Sequence, residues 1–206
     1  MKFKTYIVAR DYGFSPNPFG EYCTLSCCKP RIRRNVNVGD WVFGTGSKKY
    51  NIAGKLVFAM NVSERLTFQE YWDDPRFEYK KPIMNGSLVQ MYGDNIYYRD
   101  SNTKNWNQEN SHHSLPNGTV NGHNLERDIR GKFVLVSKNF YFFGKSAIEI
   151  PIRFKTQVCT STQGHKNVDN NVANKFLNWL SKNYQEGRHD DPILFDNSFK
   201  RYDGVS

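Results

Sequence analysis

Runs of apolar residues separated by polar turns divide the chain into short strands, and the clearest pair lies between Val38 and Val62. Residues 41–43 and 56–60 are continuous apolar segments rich in β-forming side chains, a pattern typical of strands buried on both faces. Residues 44–49 (GTGSKK) form a predicted loop between them, with two glycines, a serine and two lysines. This loop is either a solvated hairpin turn or a site where backbone N–H groups and lysines hold an anionic ligand.

Other apolar runs predict strands on both sides of this pair. A first strand over residues 3–8 leads directly into Arg10, Asp11 and Tyr12. The SPNPFG segment that follows is a predicted loop, because its two prolines exclude a helix. Residues 21–28 are predicted as a short helix that Pro30 stops. Residues 133–137 and 140–144 are two apolar runs so close together that they predict a hairpin.

Two further helices carry recognisable boundary signals. Thr67 and Glu70 form a capping-box pattern, and Pro75 limits the helix that follows to about two turns. Near the C-terminus, helical spacing predicts one long helix with Asn170 or Asn171 as its cap and Gly187 as its stop. The apolar positions that show this spacing are Val172, Phe176, Leu177, Leu180 and Tyr184.

Residues 85–128 are dense in Asn, Asp, Gly and Ser, yet they contain several aromatic side chains. A long polar insert is usually functional or disordered, and its aromatics argue against full disorder. At 206 residues, the chain is long enough for one sizeable core. We interpret it as a single domain over residues 1–206, with a core of about residues 1–155 and a C-terminal helical extension over 156–206.

Charge and aromatic content indicate the class of partner. The formal net charge is +9 and aromatic residues make up 15% of the chain. Positive charge interleaved with aromatic rings is the combination that holds a phosphate backbone and stacks bases, so nucleic acid is the expected partner. The alternative is a basic protein without such a partner.

The four cysteines, Cys23, Cys27, Cys28 and Cys159, do not follow a zinc-binding spacing. No nucleotide-hydrolase motif is present, and we predict neither a metal nor another cofactor. The N-terminus lacks a signal-peptide pattern and no apolar stretch is long enough to cross a bilayer. We therefore expect a cytoplasmic protein with reduced thiols.

Six separated motifs follow one another along the chain: VARDYGFSPNPF, CTLSCCKPRIRR, VGDWVFGTGS, LTFQEYWDDPRF, YGDNIYYRD and NSHHS. Together and in this order, they resemble the nucleotide modification associated domain 2 family of the PUA-like superfamily, which is related to EVE and ASCH domains. The resemblance implies an α+β fold, a mostly antiparallel β-barrel with short helices and a C-terminal helix. It also implies an association with systems that make, read or destroy modified bases.

The resemblance extends to the position of a binding pocket. EVE-like relatives accept a modified base near the end of the first strand and beside the loop after the GD strand, which here means Arg10–Tyr12 and Thr45–Ser47. Stacking on aromatic rings is worth about 1–3 kcal/mol per base, enough for two rings to offset the cost of flipping a base out of a duplex. The predicted base pocket consists of Tyr12, Phe14, Asn17, Thr45, Ser47 and Tyr97. The predicted contacts to the nucleic-acid backbone are Arg31, Arg33, Arg34, Lys48 and Lys49.

The function that we predict is recognition of a flipped modified base followed by its excision, with a non-catalytic reader as the alternative. A non-catalytic reader of modified DNA or RNA bases needs only stacking and hydrogen-bond donors. A DNA glycosylase that excises the base also needs a carboxylate and a proton donor. The predicted catalytic residues are Asp94, Asn95, Asp11 and His112, with Asp128, His113 and His123 as further candidates. The expected partner is double-stranded DNA carrying modified bases, and defence against phages with modified genomes is a role that the resemblance suggests.

Overall fold

The computed structural model describes residues 1–160, 164–196 and 198–205. The strands are β1 (Phe3–Val8), β2 (Cys23–Leu25), β3 (Trp41–Gly46), β4 (Lys55–Asn61), β5 (Glu64–Thr67), β6 (Tyr97–Arg99), β7 (Trp106–Gln108), β8 (Phe133–Ser137), β9 (Phe140–Phe142), β10 (Ile148–Glu149), β11 (His165–Asn167) and β12 (Gly187–Arg188). The α-helices are α1 (Pro30–Asn35), α2 (Phe68–Asp73), α3 (Leu88–Met91), α4 (Gly122–Ile129), α5 (Ile152–Val158) and α6 (Asn170–Asn183).

The strands form three sheets. The largest has the order β11-β1-β3-β4-β9-β12, with β10 also paired to β4, while β2-β8-β5 and β6-β7 form two smaller sheets. β1 runs parallel to β3, and β3 runs antiparallel to β4. The α+β class is thus confirmed. The largest sheet ends on two different strands, so the described residues form no closed barrel, contrary to the barrel expected from the resemblance.

The central strand pair is present, but its loop is shorter than the sequence pattern predicts. β3 continues through Gly44, Thr45 and Gly46, and a single 3-10 turn at Lys48–Tyr50 follows. A Cβ on Gly44 would lie 2.1 Å from Cε1 of Phe58 on β4. Gly44 is therefore required for close strand packing, and the prediction that it belongs to the loop was wrong.

Two local predictions are also wrong. Residues 23–25 form strand β2 where a helix over 21–28 was predicted, and Pro30 begins helix α1 instead of stopping one. Proline is favoured in the first turn of a helix because its missing N–H would have no intrahelical partner there. β8 and β9 do not form a hairpin, since β8 pairs with β2 and β5 whereas β9 pairs with β4 and β12.

Both helices with explicit boundary signals are confirmed. The Thr67 hydroxyl accepts a hydrogen bond from the Glu70 N–H, and the Glu70 carboxylate accepts one from the Thr67 N–H, which completes the capping box of α2. Helix α6 covers the predicted long helix, although its cap is Asp169, one residue earlier than expected. No helix within the described residues is long and apolar enough to span a membrane.

The polar insert is folded, and it forms one wall of the candidate site. It contains α3, the β6-β7 hairpin and α4, and its aromatic residues pack with Phe14, Phe68 and Tyr71 in one of three apolar clusters. The second cluster lies around Tyr6, Phe58 and Leu135, and the third packs α5 and α6 against the large sheet. Because the insert packs on the core, His112 and His113 are held beside the end of β1.

Candidate functional site

A cavity of about 230 Å³ lies where β1 ends. It is built from the end of β1 and the following loop, the turn before α1, the middle of the polar insert, α4 and the C-terminal segment. Its lining residues are Tyr6, Val8, Ala9, Arg10, Tyr12, Phe14, Ser15, Cys28, Lys29, His112, His113, Arg127 and Tyr202. Five segments that are distant in sequence thus meet around one opening.

Three side chains of this site form a hydrogen-bonded chain. The Cys28 Sγ lies 3.8 Å from Nε2 of His113, and Nδ1 of His113 lies 2.8 Å from Oδ2 of Asp128. Asp128 and His113 are almost fully buried, at 0% and 1% exposure, whereas Cys28 is half-buried and lines the cavity. This is the geometry of a nucleophile, a base and a group that orients the base.

Asp128 is the hub of the arrangement, because both of its carboxylate oxygens are fully used. Oδ1 accepts hydrogen bonds from the Cys28 N–H at 2.8 Å and from Nε of Arg127 at 3.2 Å. Oδ2 contacts the His113 ring and accepts a hydrogen bond from the Tyr97 hydroxyl at 3.0 Å. With so many partners, the carboxylate has a fixed position and in turn fixes the His113 ring.

Backbone hydrogen bonds also hold Cys28 in place. Cys28 and Lys29 both have left-handed backbone conformations, with φ of 54° and 41°. Non-glycine residues seldom adopt this region unless the surroundings impose it. The Cys28 carbonyl accepts a hydrogen bond from Nε of Arg33, and the Cys28 N–H donates to Asp128. These bonds on either side aim the thiol at the cavity.

Electrostatics favour a charged thiol and imidazole. Burial alone would raise the pKa of Cys28, but the charge and hydrogen bond of His113 bring it below its usual value. Burial would lower the pKa of His113, but Asp128 and Cys28 raise it to about 9. The same contacts, with Arg127 and Arg33, outweigh burial and hold the pKa of Asp128 well below its usual range. These contacts thus favour a thiolate beside an imidazolium.

The rest of the lining is cationic and aromatic. Arg10, Lys29 and Arg127 carry positive charge, and no carboxylate lines the cavity within the described parts of the chain. The guanidinium carbon of Arg10 lies 4.5 Å from the centre of the Tyr202 ring. The rings of Tyr12 and Phe14 lie 4.9 and 5.0 Å from the His112 ring. Such a lining suits a flat ligand that bears negative charge.

Tyr6 adds an unusual feature to this lining. Its side chain is 2% exposed, and its hydroxyl makes no hydrogen bond among the described residues. Burial raises the pKa of Tyr6 well above its usual value, and the thiols of Cys28 and Cys23 raise it further. A buried donor without a partner costs about 1–3 kcal/mol, a cost that a ligand accepting its hydrogen bond would remove.

The pKa of His112 is shifted in the opposite direction to that of the neighbouring His113. Its Nδ1 lies 2.5 Å from the Lys200 carbonyl oxygen, which makes Nδ1 the protonated nitrogen. Burial, together with the charge of His113, lowers the pKa of His112 to about 3. His112 is thus neutral at pH 7, and it acts as an aromatic wall and not as a proton donor.

The thiol of Cys27, His113 and Asp128 form the one metal-like cluster in the described residues, with atoms within 4.8 Å of one another. Burial raises the pKa of Cys27 well above its usual value, and the charge of Asp128 raises it further, so this thiol stays protonated. The carboxylate and the imidazole already bond to each other. These features describe a hydrogen-bonded network and not a metal centre.

Four of the predicted site residues and further candidates line the cavity: Tyr12, Phe14, His112 and His113. Asp11 lies between two lining residues but is buried, and its carboxylate accepts hydrogen bonds from the Gly13 and Ile193 N–H groups. Burial raises the pKa of Asp11 to about 7. Tyr97 lies behind the cavity as a hydrogen-bond donor to Asp128. His123 is exposed on α4 and does not line the cavity.

Other predicted residues lie in the interior and do not line the cavity. The Asp94 carboxylate accepts hydrogen bonds from the hydroxyls of Thr24 and Tyr71, at 2.7 and 2.8 Å. The Asn95 amide donates to the Tyr71 carbonyl oxygen. The Asn17 side chain accepts a hydrogen bond from Nζ of Lys80, at 2.7 Å. The sequence predicted Asp94, Asn95 and Asn17 to face a ligand, but the structure gives all three a role in packing the interior.

The predicted GTGSKK loop lies elsewhere. The Thr45 hydroxyl donates to the Tyr6 carbonyl oxygen within the sheet, so Thr45 does not form a pocket wall. Ser47 and Lys48 line a different cavity of about 710 Å³, beside Lys155 and Lys166. Thr45 and Ser47 thus do not share a pocket with Tyr12, contrary to the prediction.

The predicted backbone-binding residues divide by exposure. Arg31, Arg34, Lys48 and Lys49 are exposed. Arg33 is 0% exposed and donates hydrogen bonds to the carbonyl oxygens of Cys28, Asp128 and Phe133. Arg33 therefore cannot reach a phosphate, and the prediction that it binds the backbone was wrong. It is instead the anchor of the Cys28 turn.

Sequence reasoning missed Cys28, Lys29, Arg127 and Tyr202 as lining residues, and it considered Cys28 only as a zinc ligand. His113 and Asp128 were both candidates, as a proton donor and a carboxylate, but neither was connected to Cys28. A half-buried cysteine together with a histidine and an aspartate is a signal for a nucleophile, but their spacing along the chain carries no information about their contact.

No curated protein and no solved structure shows significant similarity to the chain. The family model for nucleotide modification associated domain 2 matches residues 1–199, nearly the whole chain. The resemblance inferred from the motifs is thereby confirmed. The chain belongs to the nucleotide modification associated domain 2 family, which links it to modified nucleotides.

Proposed function

We propose that the cavity at the end of β1 binds a modified base of nucleic acid, flipped out of double-stranded DNA. The observation that carries the proposal is the combination, in the lining of one cavity, of aromatic walls, three cationic side chains and Tyr6, whose hydroxyl has no partner among the described residues. Membership of a family linked to modified nucleotides supports the same ligand class. We also propose that the chain is related to the PUA-like superfamily, as its motifs suggest.

The size and lining of the cavity suit a single base. Its volume of about 230 Å³ is below the roughly 300–1,000 Å³ typical of pockets for drug-sized ligands. Tyr12, Phe14 and Tyr202 offer rings for stacking, which is worth about 1–3 kcal/mol per base and so offsets the few kcal/mol needed for flipping. Arg10, Lys29 and Arg127 would contact the phosphates beside the flipped nucleotide.

The surrounding surface supports a polyanionic partner. Arg31 and Arg34 on α1 are exposed, and α1 begins directly after Cys28 and Lys29 of the cavity. Such side chains would grip the duplex on either side of the flipped base without reading its sequence. Recognition of modified phage genomes would be a natural use of this binding.

A binding assay tests the proposal. Duplexes that differ only in one base (cytosine, 5-hydroxymethylcytosine or its glucosylated form) are titrated with the protein by fluorescence anisotropy. We expect at least one modified duplex to bind roughly tenfold more tightly than the unmodified one, and Tyr12→Leu to abolish the difference. Tyr50→Leu is the matched control, because Tyr50 is a half-buried tyrosine outside the cavity. Equal affinity for all duplexes would contradict the proposal.

Excision of the base by N-glycosidic hydrolysis is a second candidate function. Asp11 favours it, because a carboxyl with a pKa of about 7 beside the cavity is partly protonated at neutral pH and can exchange a proton. Hot alkali breaks a strand wherever a base is missing. Strand breaks only at modified positions, lost in Asp11→Asn, would support excision, and intact strands under tight binding would leave a non-catalytic reader.

A further inference from the structure

We propose that Cys28 is a catalytic nucleophile which, with His113 as proton carrier and Asp128 as positioning residue, removes an acyl group from a ligand bound in the cavity. The acylated ligand is a base whose exocyclic nitrogen or oxygen bears an amide or ester. The identity of this ligand rests on the proposed function above. The thiol chemistry rests only on the geometry of Cys28, His113 and Asp128.

Contacts within the site separate Cys28 from the other cysteines. Cys23 and Cys27 are 0% exposed, and burial raises the pKa of both thiols. Cys159 lines the separate cavity beside Lys155, and burial raises its pKa too. Cys28 alone combines access to a cavity with an imidazole at 3.8 Å whose other nitrogen bonds to a carboxylate. A structural cysteine needs neither access nor an oriented base.

The charges around the thiol favour its ionised form. The titratable and charged groups that interact with Cys28 from neighbouring elements are Tyr6, Cys27, Lys29, Arg33, His113, Arg127 and Asp128. The positive members next to the sulfur are His113 and Arg127, whose Nη2 lies 4.0 Å from Sγ. The negative charge of Asp128 is neutralised by its contacts with His113 and Arg127.

The reaction follows from these positions. The Cys28 thiolate attacks the acyl carbon, a C–S bond forms, and the carbonyl electrons move onto oxygen. Tyr6 lines the same cavity and its hydroxyl has no partner among the described residues, so we assign it as the donor to that oxyanion. As the oxyanion collapses, the C–N or C–O bond breaks and the leaving group takes the proton from Nε2 of His113. Water then attacks the thioester, His113 accepts its proton, and a carboxylic acid leaves with Cys28 restored.

Acyl transfer agrees with the lining better than glycosidic hydrolysis does. A glycosidase needs a carboxylate facing the sugar, and no carboxylate lines this cavity within the described residues. A thiolate paired with an oriented imidazolium instead supplies the nucleophile and the proton that acyl transfer requires. The proposal thus assigns the modification to the base and leaves the base-sugar bond intact.

A burst assay with p-nitrophenyl acetate tests the nucleophile independently of the natural ligand. We expect one equivalent of nitrophenolate per protein and an acetylated Cys28 peptide in the mass spectrum. Cys28→Ser should abolish the burst, and His113→Gln should slow it at least 100-fold, as expected for loss of a general acid and base. Cys159→Ser is the matched control and should not change it. Cys28→Ser replaces one sulfur atom by oxygen, so we expect the variant to fold. Circular dichroism checks this.

Iodoacetamide labelling gives a second measurement that does not need turnover. At pH 6.5, Cys28 should be alkylated at least tenfold faster than Cys159, whose raised pKa keeps it a thiol. Equal labelling rates combined with no burst would overturn the proposal, whatever the protein binds. A burst that survives in Cys28→Ser would do the same.

N4-acetylcytidine 5′-monophosphate then tests the substrate class. Release of acetate, lost in Cys28→Ser and at least tenfold slower in Tyr6→Phe, is the expected result. A normal burst without release of acetate would overturn the acylated base as substrate and leave the nucleophile. If the burst and acetate release occur but modified duplexes bind no better than unmodified ones, the proposed function fails while this inference stands.

Discussion

Two carboxylates of this protein are equally buried but have pKa values shifted in opposite directions. Asp94 and Asp128 are 1% and 0% exposed, and each accepts a hydrogen bond from a tyrosine hydroxyl. Burial raises the pKa of Asp94 above its usual value, and Lys80 and the hydroxyl donors offset this only in part. The pKa of Asp128 lies well below its usual range, although it is equally buried.

The contacts of the neighbouring cations explain the difference. Lys80 directs its ammonium group at three oxygens other than those of Asp94: the Asn17 carbonyl, the Asn17 side chain and the Tyr22 carbonyl, at 2.7 to 3.0 Å. Burial is therefore the largest influence on the pKa of both Asp94 and Lys80, and it lowers the pKa of Lys80 to about 8. Asp128 instead contacts His113 and Arg127 directly, at 2.8 and 3.2 Å. A cation in direct contact with a buried carboxylate outweighs the effect of desolvation on its pKa, whereas a cation farther away does not.

The comparison shows how to separate a structural carboxylate from a functional one. Around Asp94, the hydrogen bonds connect groups of the interior, and no member of the set faces the cavity at the end of β1. Around Asp128, the same kind of bonding ends at the half-buried thiol of Cys28. Burial and a shifted pKa are thus common to both networks, and access to a cavity is what distinguishes them.

The largest effect on stability should come from Asp94→Ala. The substitution leaves the hydroxyls of Thr24 and Tyr71 unpartnered and Lys80 without a nearby negative charge. We expect the free energy of unfolding to fall by about 3–5 kcal/mol, measured by urea denaturation. Glu126→Ala removes an exposed carboxylate of α4 and should change it by less than about 0.5 kcal/mol. If Cys28 keeps its reactivity towards iodoacetamide in folded Asp94→Ala, Asp94 is structural and separate from the Cys28 site. Lost reactivity would contradict that distinction between Asp94 and Asp128.

Arg33→Met should destabilise the protein by about 2–4 kcal/mol, because three carbonyl oxygens lose a charged donor. The neighbouring Arg34 is exposed, so Arg34→Met is its matched control and should stay within about 0.5 kcal/mol of the wild type. Thermal denaturation followed by circular dichroism measures both. Equal stability of the two variants would mean that Arg33 does not anchor the Cys28 turn.

Asp128→Asn should change the pH dependence of the thiol more than the fold. Without the carboxylate charge, the pKa of His113 falls from about 9 towards its usual value of 6.5, so the imidazolium is lost at lower pH. Removal of the Asp128 charge by itself lowers the pKa of Cys28, but loss of the imidazolium, which has the larger influence on the thiol, outweighs this and raises it. The alkylation rate of Cys28 at pH 7 should drop about tenfold, with its pH profile displaced upwards.

The control for this experiment is Asp73→Asn, which neutralises an exposed carboxylate on α2. Its alkylation profile should coincide with that of the wild type. If Asp128→Asn, folded by circular dichroism, also keeps the wild-type profile, Asp128 does not set the charge state of the pair.

The smallest effects are expected at the exposed basic residues. Arg34→Ala and Lys49→Ala should each weaken binding to any duplex by a few-fold at low salt. If each residue contacts one phosphate, the slope of log affinity against log salt should decrease by about one. Lys175→Ala on α6 is the control, because this exposed lysine lies beside neither the cavity nor α1. An unchanged slope in Arg34→Ala would place the duplex on another face.

Local signals in the sequence were sufficient for several elements. The capping box at Thr67 and Glu70, the periodicity of α6 and the apolar run of β1 each act within one or two turns or along a single strand. Their hydrogen bonds and side-chain spacing depend on neighbouring residues alone. The α+β class and the family followed from the same short segments.

Only the tertiary structure could decide which strands pair and which polar residues meet. Arg33 and Arg34 are adjacent and chemically identical, yet one is fully buried and the other is exposed, since α1 turns one face to α4 and β8. Cys28 lies 85 residues from His113 and 100 from Asp128. No local interaction specifies their contact, which arises because the packed polar insert brings His113 and α4 against the turn before α1. The sequence by itself determined several of the elements and supplied the reactive side chains, and long-range packing decided that three of those side chains form one site.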